Sequence, residues 1–275
     1  VRCNDWLKFG KRHDYAHQLG CDAGASGHHA RITMYQDEPA LARARHIGKD
    51  QSYVLFGIPR AQLSQTLLPI GDYSDKQQVR DRAEELDLPT FDKPDSQEIC
   101  FVPDQDYAGL VERQRPELAQ AGRIIDTDGK VVGEQGGQHR CTVGQRRGVG
   151  VAMGYPIYVV EKDPASNTVT IGGGEDLLTA MCEVGELNWL DPQPMEAGLR
   201  VRAQVRSHGE AVPATLTPLE AAADATHSGR PGRCRLTLDE PMQAVAPGQA
   251  AVFYDLEGDD RVLGGGWIER CHKPV

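Results

Sequence analysis

Residues 199–206 read LRVRAQVR, and this stretch decides the fold of the last part of the chain. Apolar and polar residues alternate along it, which is typical of a strand with one buried face. The segments CRLTLDE (234–240), GQAAVFYD (248–255) and VLGGGWIE (262–269) follow at regular spacing. Short strands repeated in this way predict a small β-barrel, which we assign to residues 179–275.

The front of the chain has a different pattern. Residues 4–20 predict a helix with apolar residues, among them Trp6 and Leu19, on one face. Residues 21–32 (CDAGASGHHARI) then predict a short strand of small residues that ends in a glycine loop. Strand and helix alternate from there, which predicts a parallel α/β sheet over residues 1–103.

A second helix is predicted by its start and stop signals. Ser74 and Gln77 have the spacing of a capping box, and Pro89 lies beyond the expected end. Leu86 belongs to an apolar stripe on this helix, so we expect that stripe to face the core.

A small central domain is predicted over residues 104–178. Residues 122–133 (GRIIDTDGKVVG) have the pattern of a hairpin around Asp128-Gly129. Residues 155–174 (YPIYVVEKDPASNTVTIGGG) predict two further strands. The whole chain therefore reads as an α/β part, a central module and a β-barrel.

Composition limits the classes of protein to which the chain can belong. Its 275 residues are 39% hydrophobic and 25% charged, as in globular proteins, and no apolar run is long enough to span a membrane. The net charge of −10 argues against a general nucleic-acid binder, although it allows a local basic face. Seven scattered cysteines without a CxxC motif predict free thiols in a reducing cytoplasm.

Two of these thiols lie where chemistry is plausible. Cys100 follows the polar run DSQEI at the end of an α/β segment, the region where open sheets bind ligands. Cys3 precedes a helix start, where backbone N–H groups stabilise a thiolate. From the spacing alone, inert half-buried thiols remain the favoured interpretation, and two thiols that meet across one cleft are the alternative.

Three loops have residues suited to nucleotides or phosphates. Gly27, after a strand, would let backbone approach a phosphate or a base, or would simply form a turn. Residues 49–53 (KDQSY) combine a cation, an anion, an amide and a phenol; on a loop such a run is usually solvated surface, although it would also suit contacts to a phosphate and a base edge. Arg146 and Arg147 lie between glycines, which suits phosphate binding and also an ordinary basic turn.

Taken in order, these segments resemble the bacterial tRNA-specific 2-thiouridylases, which exchange oxygen for sulfur on the wobble uridine of certain tRNAs. The matching motifs run from the first residues nearly to the last and are RCNDWLKFG, ASGHHARI, KDQSYVLF, LLPIGDYSDKQQVR, KPDSQEICFVP, TVGQRRGVG, PGQAAVFYD and VLGGGWIE. Each motif alone is modest support, whereas the ordered set identifies the family.

The resemblance implies an α/β domain of the ATP-pyrophosphatase (Rossmann-like) type, a small central domain and a C-terminal β-barrel. It implies an enzyme, a tRNA-uridine 2-sulfurtransferase, in which ATP with Mg²⁺ adenylates the uracil oxygen at carbon 2. Cys100 in SQEIC resembles the thiol that receives a persulfide from a sulfur-carrier protein or cysteine desulfurase, and Cys3 resembles its nucleophilic partner. In the family a disulfide between the pair can close the cycle.

Binding residues follow from the same motifs. Gly27 matches the position of a nucleotide-contacting residue in the family, so the resemblance implies that it contacts ATP. Residues expected to bind tRNA are His28, Lys49, Asp50, Gln51, Arg146, Arg147, Arg206 and Gln249. An arginine–aromatic pair common in the family's barrel strand is Gln204-Val205 here, and we expect Arg206 to take over part of that contact. No protein-bound metal site is predicted.

The family's SGGxDSS phosphate loop, and the acidic residue expected shortly before Cys3, are absent from this sequence. The sequence therefore predicts a chain that lacks its pyrophosphate-loop segment and cannot adenylate as written. The alternatives are a non-catalytic tRNA-binding fragment and a redox protein using Cys3 and Cys100. The expected partners are tRNA and the sulfur donor, in the cytoplasm and without a membrane. The sequence leaves open which tRNAs, which donor and which oligomeric state apply.

Overall fold

The computed structural model describes residues 1–89, 91–92, 102, 104, 106–219, 232–256 and 260–274. The chain forms two compact units. The first comprises Val1–Asp92, Met181–Asp239 and Pro247–Cys271, and the second comprises Lys93–Ala180, Glu240–Ala246 and His272–Val275. No helix among the described residues is long and apolar enough to cross a membrane.

The predicted first helix is confirmed, and Phe9 on its predicted apolar face is buried, but the ends of that face are exposed. It is a π-helix over Asn4–Lys11 that continues as an α-helix, α1 (Arg12–Gln18), and the chain leaves it through Gly20 at a φ of +74°. Trp6 and Leu19 are 64% and 63% exposed. A π-helix repeats over more residues per turn than an α-helix, so a stripe read at α-helical spacing does not stay on one face.

Two small sheets follow the first helix. Strands β1 (Gly24–Ala25) and β4 (Thr66–Leu67) pair in parallel, as the sequence predicted for this part of the chain. Strands β2 (Ala30–Tyr35) and β3 (Glu38–Arg43) form an antiparallel hairpin that the sequence analysis missed. Its two turn residues are Gln36-Asp37, at φ +49° and +63°, rather than the Asn-Gly that usually signals such a turn.

The second helix, α2 (Lys76–Glu85), is confirmed, although its predicted capping box is wrong by one residue. Asp75, not Ser74, is the N-cap, and its carboxylate accepts a hydrogen bond from the Gln78 backbone N–H at 3.0 Å. Gln78 in turn accepts from the Ser74 N–H at 3.2 Å. Leu86 is 54% exposed, so the predicted apolar stripe does not reach the core.

The central segment contains helix α3 and a four-stranded sheet. The predicted hairpin around Asp128 is present, and Gly129 adopts the left-handed φ of +82° that its turn requires. The strand order in this sheet is β6-β5-β8-β7. The elements are α3 (Tyr107–Gln114), β5 (Gly122–Ile125), β6 (Val131–Gln135), β7 (Tyr158–Asp163) and β8 (Thr168–Gly172).

The last part of the chain closes into the predicted β-barrel. Its strands are β9 (Leu178–Trp189), β10 (Leu199–Gln204), β11 (Val212–Pro218), β12 (Cys234–Gln243), β13 (Ala250–Tyr254) and β14 (Val262–His272). They are joined in the order β10-β11-β12-β9-β14-β13. Val201, Ala203 and Val205 are buried, which confirms the alternation read from the sequence. Gln204 lies on the opposite face with Arg202 and Tyr254, as the alternation predicts, but it is buried because Arg43 covers that face.

The front of the chain and the barrel share one core within the first unit. A Cβ atom added to Gly265 on β14 would lie 2.8 Å from the ring of Phe56, so only a glycine allows this approach. Asn188 on β9 donates hydrogen bonds to the backbone oxygens of Phe56 and Ile58, at 2.6 and 2.8 Å. The buried side chains of this core come from both parts and include Phe9, Leu41, Leu55, Phe56, Leu63, Leu190, Val252 and Tyr254.

We predict that Asn188→Ala lowers the free energy of unfolding by about 1–3 kcal/mol, because the backbone oxygens of Phe56 and Ile58 lose the side-chain donor that they share. Urea denaturation followed by circular dichroism measures this. Gln193→Ala removes an exposed amide a few residues further on and serves as the control, which should change stability by less than about 0.5 kcal/mol. Equal effects of the two substitutions would contradict the assignment.

Candidate functional site

The loop after β1 contains the predicted nucleotide contact, Gly27. This residue is exposed, and a Cβ atom placed on it would meet nothing within 4 Å. The backbone there is open to a ligand, which fits a nucleotide approaching Gly27. Among the residues that the structure describes, no group of three or more His, Cys, Asp or Glu side chains could hold a metal ion. The nucleotide contact at Gly27 stays a prediction.

His28, the next residue, is largely buried and held from both ring nitrogens. Its Nδ1 lies 2.6 Å from Ser26 Oγ, and its Nε2 lies 3.5 Å from Lys8 Nζ. Burial, with the nearby charge of Lys8 and then His29, lowers the pKa of His28 to about 4. An ammonium group can only donate, so Nε2 accepts from Lys8 and Nδ1 carries the proton donated to Ser26. His28 is thus a neutral ring that positions the Lys8 ammonium beside the loop.

The KDQ turn is fixed by its own side chains. The carboxylate of Asp50 accepts hydrogen bonds from the N–H groups of Ala44 (2.9 Å) and Ser52 (3.1 Å) and from Ser52 Oγ (2.7 Å). Asp50 therefore faces the interior and shapes the turn. Gln51 is exposed. Its side-chain Oε1 accepts from the His29 backbone N–H at 2.9 Å, and the Gln51 backbone N–H donates to the His29 backbone oxygen at 2.7 Å. These two bonds tie the KDQ turn to the Gly27 loop.

A buried polar network joins the KDQ turn to the barrel. The guanidinium of Arg43 lies 3.9 Å from the ring centroid of Tyr254, and its Nε lies 3.9 Å from Asp50 Oδ2. Gln204 Oε1 accepts from Arg43 Nη2 at 3.3 Å and from the Tyr254 hydroxyl at 3.2 Å. Burial and the charge of Asp50 raise the pKa of Tyr254, so its hydroxyl remains a donor. Sequence reasoning missed this network because its members are far apart in the chain.

The same network reaches the predicted Arg206 contact. Gln204 Nε2 donates to the backbone oxygens of Arg206 and Ser207, each at 3.1 Å, so Gln204 holds the turn that presents Arg206. Arg206 is exposed and lines a cavity of about 630 Å³. Gln249 lines it as well, and its Oε1 is buried without a hydrogen-bond partner in the described part of the chain. The remaining lining residues are Val1, Arg2, Tyr53, Ser207, His208, Gly248, Ala250 and Trp267.

The other arginines on this barrel strand are paired with carboxylates. Arg200 Nη2 lies 2.6 Å from Asp239 Oδ2, and Arg202 Nη1 lies 3.9 Å from Asp260 Oδ1. Arg200 and Arg202 are therefore neutralised by carboxylates, whereas Arg206 follows the strand on an exposed turn.

The Arg146–Arg147 turn belongs to the second unit. Gly144 and Gly148 adopt φ values of +88° and +72°, which lets the chain turn tightly around the two arginines. The Gln145 side chain braces the turn by donating from Nε2 to the Arg147 oxygen at 2.9 Å. Both arginines are exposed, and neither forms an ion pair with a carboxylate in the described ranges. Such an arrangement suits phosphate oxygens.

The two predicted sulfur-handling cysteines differ in what the structure describes. Cys3 is half-buried, unpaired with another described cysteine, and directly precedes the π-helix. Cys100 lies outside the described residues, so the expected approach of the two thiols stays a prediction. Sequence reasoning missed Asp5, whose Oδ1 is buried without a hydrogen-bond partner among described groups. Burial raises the pKa of Asp5 to about 6, and no signal in the sequence indicated this.

Three family models match successive parts of the chain. Residues 1–104 match the tRNA methyl transferase HUP domain, residues 111–173 the tRNA methyl transferase PRC-barrel domain, and residues 179–268 the Aminomethyltransferase beta-barrel domain. With the closed six-stranded barrel, these matches confirm the predicted order of an α/β part, a small central domain and a β-barrel. The predicted domain bounds themselves stay a prediction.

Similar proteins cover nearly the whole chain. Three relatives are named tRNA-specific 2-thiouridylase MnmA. The one from Paramagnetospirillum magneticum is 46% identical over 268 residues, covering 98% of this chain and 68% of the relative. The one from Rhodospirillum rubrum is 44% identical over 272 residues, covering 98% and 70%. The one from Solibacter usitatus is 43% identical over 278 residues, covering 97% and 71%.

We predict that His28 makes the protein less stable as the pH falls. The pKa of this residue is about 4 in the folded state and 6.5 as the reference for the unfolded state, so the unfolded chain binds more protons between these values. The stabilisation is complete above about pH 6.5 and decreases towards pH 4. Urea unfolding from pH 7 to pH 4.5 measures it, as the difference between wild type and His28→Asn.

The substituted protein should show a smaller loss of stability over this range. His17→Asn, which changes an exposed histidine of α1, is the control and should keep the wild-type slope. An NMR titration that places the His28 pKa near 6.5 would overturn the prediction.

Proposed function

Because this chain belongs to the tRNA-specific 2-thiouridylase family, a family of enzymes, we propose that it replaces the oxygen at carbon 2 of the wobble uridine of tRNA by sulfur. The observation that carries the proposal is the linkage of three expected binding segments within one unit. The Gly27 loop is bonded to the KDQ turn, and the KDQ turn shares a buried network with the turn of Arg206.

tRNA binding is supported by the side chains that reach solvent at these segments. We propose that Lys49 and Arg206 contact phosphates, that Gln51 and Gln249 make polar contacts to RNA, and that Asp50 holds the turn for them. Gln249 lines the cavity, and its Oε1 has no hydrogen-bond partner among described groups, so its amide suits a polar contact to a base. Arg146 and Arg147 add phosphate contacts from the second unit. His28 acts next to the tRNA by orienting Lys8.

The sulfur chemistry is assigned to Cys3 and Cys100. We propose that Cys100 accepts a persulfide sulfur from a donor protein, and that this sulfur attacks carbon 2 of the uracil. ATP, when bound, supplies the activation that turns the oxygen into a leaving group, and Gly27 is the residue offered for it. The Cys3 thiolate then attacks the Cys100 sulfur, the S–S bond to the transferred sulfur breaks, and a Cys3–Cys100 disulfide forms. Reduction of that disulfide restores both thiols.

The alternatives are less well supported. A non-catalytic tRNA-binding fragment is not favoured, because the chain is 46% identical over 98% of its length to a relative named as an enzyme. A general redox protein would not need the KDQ and GQRRG turns.

We predict that Cys100→Ser and Cys3→Ser each abolish thiolation of tRNA in the full-length protein while leaving tRNA affinity within about twofold, because a hydroxyl cannot carry persulfide sulfur or form the disulfide. Mass spectrometry of nucleosides from a thiolation-deficient bacterial strain measures the product. Cys3→Ser should still accept a persulfide on Cys100. Cys21→Ser, at an exposed thiol, is the control and should thiolate normally. Normal 2-thiouridine levels with Cys100→Ser would reject the assignment.

We further predict that tRNA affinity decreases with salt, because each phosphate contact releases counterions. The slope of log K against log salt should lie on the order of −2 to −4, with about 0.7–0.9 per contact. The double substitution Arg146→Ala with Arg147→Ala should make the slope shallower by about 1.4–1.8. Filter binding over a salt series measures this.

Arg200→Ala is the matched control, because Asp239 already neutralises that guanidinium. Its slope should equal that of the wild type. An unchanged slope in the double variant would show that the GQRRG turn does not contact phosphates.

A further inference from the structure

Two cysteines outside the proposed site lie next to each other in the barrel. Cys182 is on β9 and Cys271 is on β14, and these strands are neighbours in the closed sheet. The two strands run antiparallel, because a Cβ atom on Gly264 would lie 2.5 Å from the Asn188 oxygen and one on Gly266 would lie 2.5 Å from the Gly185 oxygen. Continued along the strands, this register brings Cys182 and Cys271 next to each other. Neither cysteine forms a disulfide in this structure.

Ion pairs next to the two cysteines link strands β9 and β14. Arg233 Nη2 lies 3.0 Å from Glu183 Oε2 on β9 and 2.6 Å from Glu269 Oε2 on β14. Glu183 directly follows Cys182, and Glu269 precedes Cys271 by two residues. Arg233 therefore connects the two strands close to the thiols. Neighbouring antiparallel strands bring opposite Cα atoms to about 4.5–5.5 Å, within the range that a disulfide bridges.

The two thiols differ in access to solvent. Cys182 is fully buried, whereas Cys271 is half-buried near the end of β14. The hydrogen bond to Cys271, followed by burial, raises the pKa of the Cys182 thiol, so Cys182 stays protonated while Cys271 is the thiol that a reagent can reach. One reachable thiol beside one buried partner is the arrangement of an attacking and a resolving cysteine.

We propose that Cys182 and Cys271 are a peroxide-sensitive dithiol that oxidises to a disulfide between β9 and β14. This site is separate from Cys3 and Cys100 and does not depend on the proposed thiolation. The oxidant class is a hydroperoxide.

The chemistry balances in two steps. The Cys271 thiolate attacks the peroxide, an S–O bond forms, the O–O bond breaks, and the released hydroxide takes up a proton to become water. The resulting sulfenic acid is attacked by Cys182, the S–S bond forms, the S–O bond breaks, and the leaving hydroxide takes the Cys182 proton to become a second water. Overall the two thiols lose two electrons and two protons, and the hydroperoxide is reduced.

The Cys182–Cys271 disulfide would add a covalent link between two strands that hydrogen bonds and ion pairs already connect. The two residues enclose most of the barrel sequence, so the bond restricts the unfolded chain strongly. The oxidised protein should therefore melt at a higher temperature than the reduced one.

The experiment treats the full chain with hydrogen peroxide, blocks the remaining thiols, digests without reductant and maps linked peptides by mass spectrometry. We expect a Cys182–Cys271 peptide that disappears with dithiothreitol, and a melting temperature higher by about 5 °C or more. Sulfonic acid at Cys271 without a linked peptide would overturn the proposal. So would a pattern in which Cys182 pairs with other cysteines. A Cys3–Cys100 peptide in the same digest is scored separately.

Variants separate the pair from general oxidation of buried thiols. Cys271→Ser should abolish both the linked peptide and the gain in melting temperature. Cys234→Ser is the matched control, because Cys234 lies on β12, the other neighbour of β9, and is equally buried. It should keep both effects. If circular dichroism shows that Cys271→Ser is misfolded, the linked peptide and the melting shift are compared between Cys234→Ser and the wild type. Their absence from both proteins would then reject the dithiol. A melting shift that persists in a folded Cys271→Ser protein would reject the dithiol.

Discussion

The arrangement of the first unit depends on one buried cation, the guanidinium of Arg43. It lies over the ring of Tyr254, faces the carboxylate of Asp50 and donates to Gln204. A buried charge is tolerated only when it is compensated, and Arg43 is compensated by groups from both the front of the chain and the barrel. Its 3.9 Å separation from Asp50 is too long for a hydrogen bond, so the pair acts through charge while Tyr254 and Gln204 supply close contacts.

This compensation explains why expected RNA-binding residues have two different roles. Asp50 uses all its described hydrogen bonds inside the protein, so it shapes a turn from which Gln51 extends into solvent. Gln204 is buried, and its amide bonds the backbone oxygens of Arg206 and Ser207, behind the Arg206 side chain. Substituting a buried member of the network would therefore alter several surface contacts together, whereas substituting Arg206 would remove one contact.

Local sequence patterns predicted most strands and helices, but they could not predict the tertiary contacts between distant residues. The alternation in residues 199–206 was sufficient for a barrel strand and for the face on which Gln204 lies. It could not show that this face is buried there, because the partners Arg43 and Tyr254 are distant in the sequence. The β2–β3 hairpin was missed because its turn, Gln36-Asp37, lacks the usual glycine. Ordered motifs identified the expected site residues. The burial of His28 and Asp5, which decides their protonation, arises only when separate segments pack together.

The contact of Gly265 with Phe56 limits how this protein can be recombined. With no side chain at Gly265, the barrel surface accepts an aromatic ring from the front of the chain. Asn188 donates hydrogen bonds to the backbone oxygens of Phe56 and Ile58 at the same place. A foreign barrel with alanine at this position would collide with Phe56 even if it folded perfectly by itself. Chimaeras that exchange the barrel between relatives should therefore work only when the glycine run and Asn188 are exchanged together with the YVLFGI segment.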